Sequence, residues 1–201
     1  MIRRRSALAA AILPSLAPHL ALAHGSLEGA GNFYTGLLHP FVVPAELLPL
    51  LALALLMGRS GLAACRRTIP ALAIGVAAGL AIAQAHGAIS DATALLTVLA
   101  LIAAAIVTTG LRAPIWVGVG LALPIGLAVG FDAAPEPGVW SAVLLTASAT
   151  LLGCTALAAI LASLTLKAEK PWSRIAVQIA GSWILASALL YLSYQMTAPV
   201  V

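Results

Sequence analysis

The sequence carries very little charge. Acidic and basic residues make up 8% of its 201 residues, whereas they make up about a quarter of an ordinary soluble domain. Hydrophobic residues make up 62%, and the mean hydropathy is +1.09. This composition excludes a soluble globular domain. At about 20 apolar residues per membrane span, the chain has room for about six or seven transmembrane helices.

Cysteine and the common catalytic motifs are nearly or wholly absent. Cys65 lies in a basic stretch, Cys154 lies in an apolar run, and no CxxC motif occurs. The two cysteines are therefore predicted to be small packing residues rather than a disulfide or a thiolate metal site. The sequence also lacks GxSxG, HExxH, a phosphate-binding loop and a dinucleotide fingerprint, so we expect no enzymatic activity.

The first 23 residues have the composition of a signal peptide. Arginines at positions 3–5 precede a short apolar run that two prolines interrupt, and Ala21 and Ala23 form the small-x-small pattern of a cleavage site. We therefore predict a signal peptide over residues 1–23 and a six-helix transmembrane domain over residues 24–201. The alternative is an uncleaved first helix of low hydrophobicity.

Six apolar runs follow this segment, each bounded by charge, glycine or proline. Each run must be a helix in a bilayer, because every backbone polar group there needs a partner within the protein. The predicted fold class is therefore all-α, a polytopic bundle of about six transmembrane helices after a cleaved signal peptide. The runs cover residues 36–58, 69–85, 92–109, 115–129, 139–166 and 175–196.

The distribution of charge predicts the orientation. If the mature N-terminus lies outside, every lysine and arginine after the signal falls on the cytoplasmic side, as the positive-inside rule requires. Most acidic residues fall on the outer side, where Asp132 and Glu136, beside two prolines, indicate a stiff acidic turn. The pI of 9.6 thus reflects orientation in a lipid bilayer and predicts no nucleic-acid partner.

The first apolar run contains two ionisable residues, His39 and Glu46. On one helix they would share a face, with Glu46 about 10 Å deeper than His39. Pro44 lies between them and predicts a kink that frees carbonyl oxygens. Ionisable groups within a span usually have a function. Imidazole and carboxylate without cysteine suit Ni²⁺, Co²⁺ or Zn²⁺ better than Cu(I).

Three further residues near the outer face are candidate metal ligands. His86 ends the second run, Asp91 follows it in the first outer loop, and His24 would offer both an α-amine and an imidazole if the signal is cleaved just before it. Simpler alternatives exist for each group. His39 would be an interfacial histidine, Glu46 a protonated acid between helices, and His86 with Asp91 a solvated loop pair.

Glycine spacing predicts that some helices approach each other closely. Gly75 and Gly79 have GxxxG spacing, and so do Gly126 and Gly130. Such spacing removes side chains from one face of a helix and allows backbones to meet. It predicts a compact bundle without specifying which helices pair.

The segment GLLHPFVVPAELL, residues 36–48, resembles the first span of the HupE/UreJ family of small membrane proteins associated with nickel or cobalt uptake. That family has a cleaved signal, a histidine at or near the mature N-terminus, and a motif of His-Pro, two apolar residues, Gly, one residue and Asp-His. His39 and Pro40 match the motif. Val43, Ala45 and Glu46 stand in place of its Gly, Asp and second His.

Two later segments bear on the same resemblance. GSWILASALL, residues 181–190, resembles the last span of the family. IGLAVG, residues 125–130, corresponds to a later family segment that contains two histidines, and here Ile125 and Val129 replace both. The resemblance therefore covers most of the mature chain in architecture and His39 with Pro40 in the motif itself.

The resemblance implies a permease of the bacterial inner membrane with a periplasmic N-terminus. It would carry a divalent cation, nickel or cobalt with zinc as an alternative, into the cytoplasm, and would hold no permanent cofactor. Its partners would be the metal ion and the bilayer, with a second copy or metalloenzyme-assembly proteins as further candidates. The predicted metal ligands are His39 and Glu46 at the entry, His86 and Asp91 beside them, and His24 as an outer capture group.

Two other functions remain open from the residues alone. In the first, the chain has lost its metal site and serves as a non-transporting scaffold or accessory subunit. In the second, it transports protons or a small solute, with Glu46 as the proton carrier. Metal binding and pH-dependent uptake distinguish these functions from metal transport.

Overall fold

A computed structural model describes residues 31–86, 92–136 and 138–197. Within these ranges the chain is all-α and contains no β-strand, which confirms the predicted fold class. The predicted signal peptide and the predicted ligands His24 and Asp91 lie outside the described residues. The helices are α1 (Gly31–Val42), α2 (Pro44–Ser60), α3 (Leu62–His86), α4 (Thr93–Thr109), α5 (Ile115–Asp132), α6 (Trp140–Leu166) and α7 (Pro171–Thr197).

The helices follow the six predicted apolar runs. Four of them, α3, α5, α6 and α7, are long and apolar enough to cross a membrane, and the bent pair α1–α2 forms a fifth candidate span. Helix α4 is a shorter apolar helix of 17 residues. The chain thus has the helices of a multi-pass membrane protein. Helix α3 begins before its apolar run, because the leucine, alanine and arginine residues there are good helix formers.

The first predicted span consists of two helices rather than one kinked helix. Helices α1 and α2 are bent by 72° at Val43, whose backbone is extended with φ −100° and ψ 105°. Pro44 explains the break, because the residue before a proline is pushed out of the helical conformation. The same proline suits the first position of the helix that follows. The sequence predicted a kink at this place, and the structure has a full break.

Helix α2 lies at the centre of the bundle. It packs against α3, α4, α5, α6 and α7, and every residue from 52 to 58 is buried. A helix that is apolar all round lies in a protein core or in a membrane, and here the neighbouring helices enclose it. Glu46 therefore stands in the first turn of the most enclosed helix of the described chain.

Glycines bring α3 and α5 into backbone contact. A Cβ atom at Gly75 would lie 2.6 Å from the carbonyl oxygen of Leu123 and 3.1 Å from the Cα atom of Gly126, and one at Gly79 would lie 2.9 Å from the Cα atom of Gly130. No side chain fits in these gaps. The two GxxxG motifs thus face each other, a pairing that the sequence left open.

Charge gathers at the two ends of the bundle. At one end, Arg59, Arg112 and Arg174 line a single cavity, and we call this the arginine end. At the other end, Asp132 closes α5 and Glu136 lies in the connection to α6, and we call this the acidic end. The break in the first span lies toward the acidic end, since α2 runs from Pro44 to Arg59 and Ser60 at the arginine end.

Candidate functional site

The break at Val43 brings an imidazole and a carboxyl group together. The Nδ1 atom of His39 lies 3.0 Å from the Oε2 atom of Glu46. The His39 side chain is 23% exposed, and the Glu46 side chain is 0% exposed. On a continuous helix these side chains would start about two turns apart. The bend of 72° places the two side chains in direct contact instead.

The ends of the two helices favour opposite charges on this pair. His39 lies in the last turn of α1, and Glu46 lies in the first turn of α2. The C-terminus of a helix carries partial negative charge and the N-terminus partial positive charge. A protonated imidazole is therefore stabilised by α1 and a carboxylate by α2. The break makes a place for a cation beside an anion within an otherwise apolar span.

The prolines at the break also leave backbone oxygens without their usual helical partners. Pro40 and Pro44 have no N–H group, so the carbonyl groups four residues earlier, at Gly36 and Pro40, receive no helical hydrogen bond from them. Backbone carbonyl groups at broken membrane helices are common ligands for small cations. The break therefore adds oxygen donors close to the side-chain pair.

One oxygen of the buried carboxyl group makes no hydrogen bond of ordinary geometry within the described chain. Glu46 Oε2 meets His39, whereas Glu46 Oε1 is buried and unpaired by that criterion. The carboxyl group of Asp132 lies close enough to interact with the Glu46 side chain, and two carboxyl groups can share a hydrogen bond only if one of them carries a proton. A buried polar atom left unpaired costs roughly 1–3 kcal/mol. Such an atom in a native structure calls for an explanation, and a bound ion, water or proton would supply one.

Asp132 belongs to the same site, although sequence reasoning placed it in a stiff acidic turn. This residue closes α5, and its carboxyl group acts electrostatically on both His39 and Glu46. Asp132 is half-buried and lies at the acidic end of the bundle, toward which the break at Val43 also lies. Its position at the end of an apolar run is the only sequence signal that pointed to it.

Helix α6 supports the site from the other side through small residues. A Cβ atom at Gly36 would lie 3.0 Å from the Oγ1 atom of Thr150, so α1 lies directly on α6. Thr150 and Cys154 of α6 are both fully buried, and the charge of Glu46 acts on the Cys154 thiol. Both cysteines are free, as predicted. The contact fixes the angle of α1 against the bundle.

The other described candidate ligand, His86, lies at the last residue of α3 with an exposed side chain. In the part of the chain that the structure describes, no three histidine, cysteine or acidic side chains come together in an arrangement that could hold a metal ion. The structure therefore brings His39 and Glu46 together and adds Asp132. A metal-binding role for the five predicted ligands stays a prediction.

Comparisons with protein families, with curated proteins and with solved structures gave no match for this chain. The resemblance to the HupE/UreJ family therefore stays a prediction that depends on His39, Pro40 and the order of the spans. Function has to be argued from the site itself.

Proposed function

We propose that this chain is a membrane transporter for a divalent transition-metal cation, nickel or cobalt with zinc as an alternative, and that His39 and Glu46 bind the ion in transit. The observation that carries the proposal is the imidazole–carboxyl pair, with Nδ1 and Oε2 3.0 Å apart at a break in a membrane helix. Broken helices with polar groups at their ends form the ion sites of many transporters. Ionisable groups within spans commonly mark ion pathways.

The small number of side-chain donors suits a transported ion better than a resident one. A structural metal site usually closes around its ion with four protein ligands, and no set of even three suitable side chains comes together among the described residues. A transported ion has to leave, so its site must bind weakly enough to release it. Two side-chain donors, freed carbonyl oxygens and water together meet that condition.

Protons would compete with the metal at this site. The contact between His39 and Glu46 is a hydrogen bond that carries a proton between nitrogen and oxygen. A metal ion needs both donors deprotonated, so its arrival displaces that proton. Asp132 supplies negative charge at the acidic end, close enough to act on the pair, and this charge would attract an incoming cation. We therefore infer uptake that slows as the pH falls.

The proposal includes an orientation. Every lysine and arginine of the described residues lies in or beside the connections at the arginine end. By the positive-inside rule this end faces the cytoplasm. The acidic end would then face the periplasm, and the ion would pass from Asp132 to the buried pair and onward to the cytoplasm.

Uptake of radioactive nickel or cobalt by cells that express the chain tests the proposal. We expect the substitutions Glu46→Gln and His39→Ala each to lower uptake by at least about tenfold, the size of effect seen when groups that tune a metal site are lost. The matched control is Glu136→Gln, which removes an exposed acid at the same end. If both site variants accumulate metal like the wild type, the proposal fails.

The second candidate function is transport of protons or of a small solute coupled to protons. The observation that favours it is that His39 and Glu46 hydrogen-bond each other without an ion, and that no three histidine, cysteine or acidic side chains within the described ranges are arranged to hold a metal ion. Uptake that depends on pH and on Glu46, but not on added metal, would select this function. If the chain takes up neither metal nor a solute in a pH-dependent way, the result would favour the third function, a non-transporting scaffold or accessory subunit.

A further inference from the structure

A cavity of about 340 Å³ opens at the arginine end of the bundle. It lies where the last turns of α2 and α6 meet the connection between α4 and α5 and the first turn of α7. Arg59, Arg112 and Arg174 line it, and Glu169 is the single acidic side chain among its lining residues. The walls of the cavity therefore carry a net charge of about +2, counting three arginines against one glutamate.

Arg59 is fixed in this cavity with unused hydrogen-bond donors. Its Nη2 atom donates a hydrogen bond to the carbonyl oxygen of Gly110, which turns the chain at the end of α4 with φ 80°. Its Nε and Nη1 atoms are buried and have no acceptor among the described residues. Guanidinium groups carry donors only and no acceptor. Arg59 therefore lines the cavity and has two buried nitrogen atoms whose N–H groups no described residue accepts.

The charges of the neighbouring arginines also favour an anion in the cavity. Arg112 and Arg174 repel Arg59, and the acid of the cavity, Glu169, forms no ion pair with any of the three in the described structure. Like charges held around one space raise the free energy of the empty site, so an anion that enters it is stabilised by all of them. Nothing comparable occurs at Arg66 and Arg67, which are exposed at the same end outside the cavity.

We propose that this cavity binds a phosphate group. The planar guanidinium group of arginine matches the geometry of a phosphate and binds two of its oxygens through paired, charge-assisted hydrogen bonds. Basic cavities between membrane helices on the cytoplasmic side commonly receive phosphate-bearing lipid head groups. Trp172, two residues before Arg174 in the sequence, is 67% exposed, and tryptophan is the residue type enriched at the level of the lipid head groups. The phosphate could thus come from an anionic lipid or from solution.

Binding to the purified full-length chain in a neutral detergent tests the proposal, with short-chain phosphatidylglycerol and inorganic phosphate as separate probes in calorimetry. We expect Arg112→Gln and Arg174→Gln each to weaken binding by about tenfold, because each removes a charge-assisted hydrogen bond. Glu169→Gln should strengthen binding by up to about fivefold, since it removes the one negative charge of the cavity. Arg59 is left unchanged, because its bond to Gly110 also supports the fold.

Arg67→Gln is the matched control, because it removes the same charge from the same end outside the cavity. Binding of the lipid alone supports the cavity and names a lipid as the source, and binding of inorganic phosphate alone supports it with a soluble source. Binding of both supports a site for the phosphate group itself. If neither probe binds, or if Arg67→Gln weakens binding as much as Arg112→Gln does, the proposal is overturned.

Discussion

The two ends of the bundle arrange their ionisable side chains in opposite ways. At the acidic end, Glu46 is fully buried and meets His39 at 3.0 Å, so opposite partners face each other in a break of the helix. At the arginine end, three like charges surround an open cavity, and two donor atoms of Arg59 have no partner in the described structure. The first arrangement pairs opposite groups and leaves one oxygen atom, Glu46 Oε1, without a hydrogen bond in the described structure. The second places like charges together, and an anion would relieve their repulsion.

The difference shows what each end can do. A hydrogen-bonded pair gives way to a cation only if the cation replaces its proton, so exchange is expected there. A cluster of repelling arginines gains from an anion without losing any internal bond, so stable binding is expected there. This contrast would give cation exchange, as transport requires, at the acidic end and stable binding of an anion at the arginine end.

The largest effect we expect concerns which end faces outward. Two separate variants each introduce one exposed cysteine. Glu136→Cys introduces it at the acidic end, and Lys167→Cys introduces it at the arginine end. A maleimide that does not cross membranes should label the first and not the second in intact cells, because basic residues stay in the cytoplasm. The two native cysteines are buried and should give little background.

The control is permeabilised cells, in which both substituted positions should react. The reverse pattern of labelling in intact cells would show that the arginine end faces outward. In that case the buried pair would open toward the cytoplasm, and export would replace uptake.

The next effect concerns the stability of the paired end. His39→Leu leaves the buried carboxyl group of Glu46 without its partner. Leaving a buried polar group without its hydrogen-bond partner costs roughly 1–3 kcal/mol, whereas replacing both partners by apolar residues can be nearly neutral. We therefore expect a lower Tm for His39→Leu in detergent and recovery in the double variant with Glu46→Leu.

Thermal unfolding of the wild type, both single variants and the double variant completes this cycle. A double variant as unstable as His39→Leu would mean that the histidine stabilises the bend through packing rather than through Glu46. The pair would then no longer contrast with the arginine end.

The smallest effect concerns the stability of the unpaired end. Arg112→Gln removes one of three repelling charges, and the side chain of Arg112 is exposed. Without phosphate or anionic lipid, we expect this variant to be as stable as the wild type or more stable, by less than about 1 kcal/mol. Thermal unfolding in neutral detergent measures the change, with Arg67→Gln as the control of equal charge.

Added phosphate should make the wild type more stable than Arg112→Gln, the reverse of the order expected without phosphate. The wild type should gain stability from the bound anion and Arg112→Gln should gain less, because binding to the folded state alone raises its stability. A clear loss of stability in Arg112→Gln without phosphate would show that this arginine has a protein partner, and the contrast between the ends would weaken.

The sequence predicted the helices well, because the bilayer leaves few alternatives. Apolar length and the need to satisfy backbone groups defined the six runs, and each run is covered by a helix or by the bent pair. Pro44 predicted a disturbance near Val43, although not its size of 72°. The size depends on how α1 lies on α6, which no local pattern encodes.

The sites depended on contacts between distant parts of the chain. The spacing of His39 and Glu46 predicted a shared helix face with Glu46 about 10 Å deeper, and only the bend of 72° brings the two side chains into contact. Asp132 lies far from them in sequence, and only the packing of α5 beside α2 brings its charge to the pair. In the sequence, Arg59, Arg112 and Arg174 contributed only to the predicted orientation in the membrane, each through the charge of its own loop. Their shared cavity follows from the way the helix ends meet.

The glycine contact between α3 and α5 limits which part of the bundle can move. Because the backbones touch at Gly75 and Gly126, no side chain lies between the two helices at these points to rearrange, and we expect α3 and α5 to move as one rigid unit. Helix α1 packs mainly against α6 and joins α2 at a single extended residue, Val43. If the site opens alternately to the two faces of the membrane, the hinge is at Val43, and α1 moves together with α6, against which it packs, while α3 and α5 stay in place.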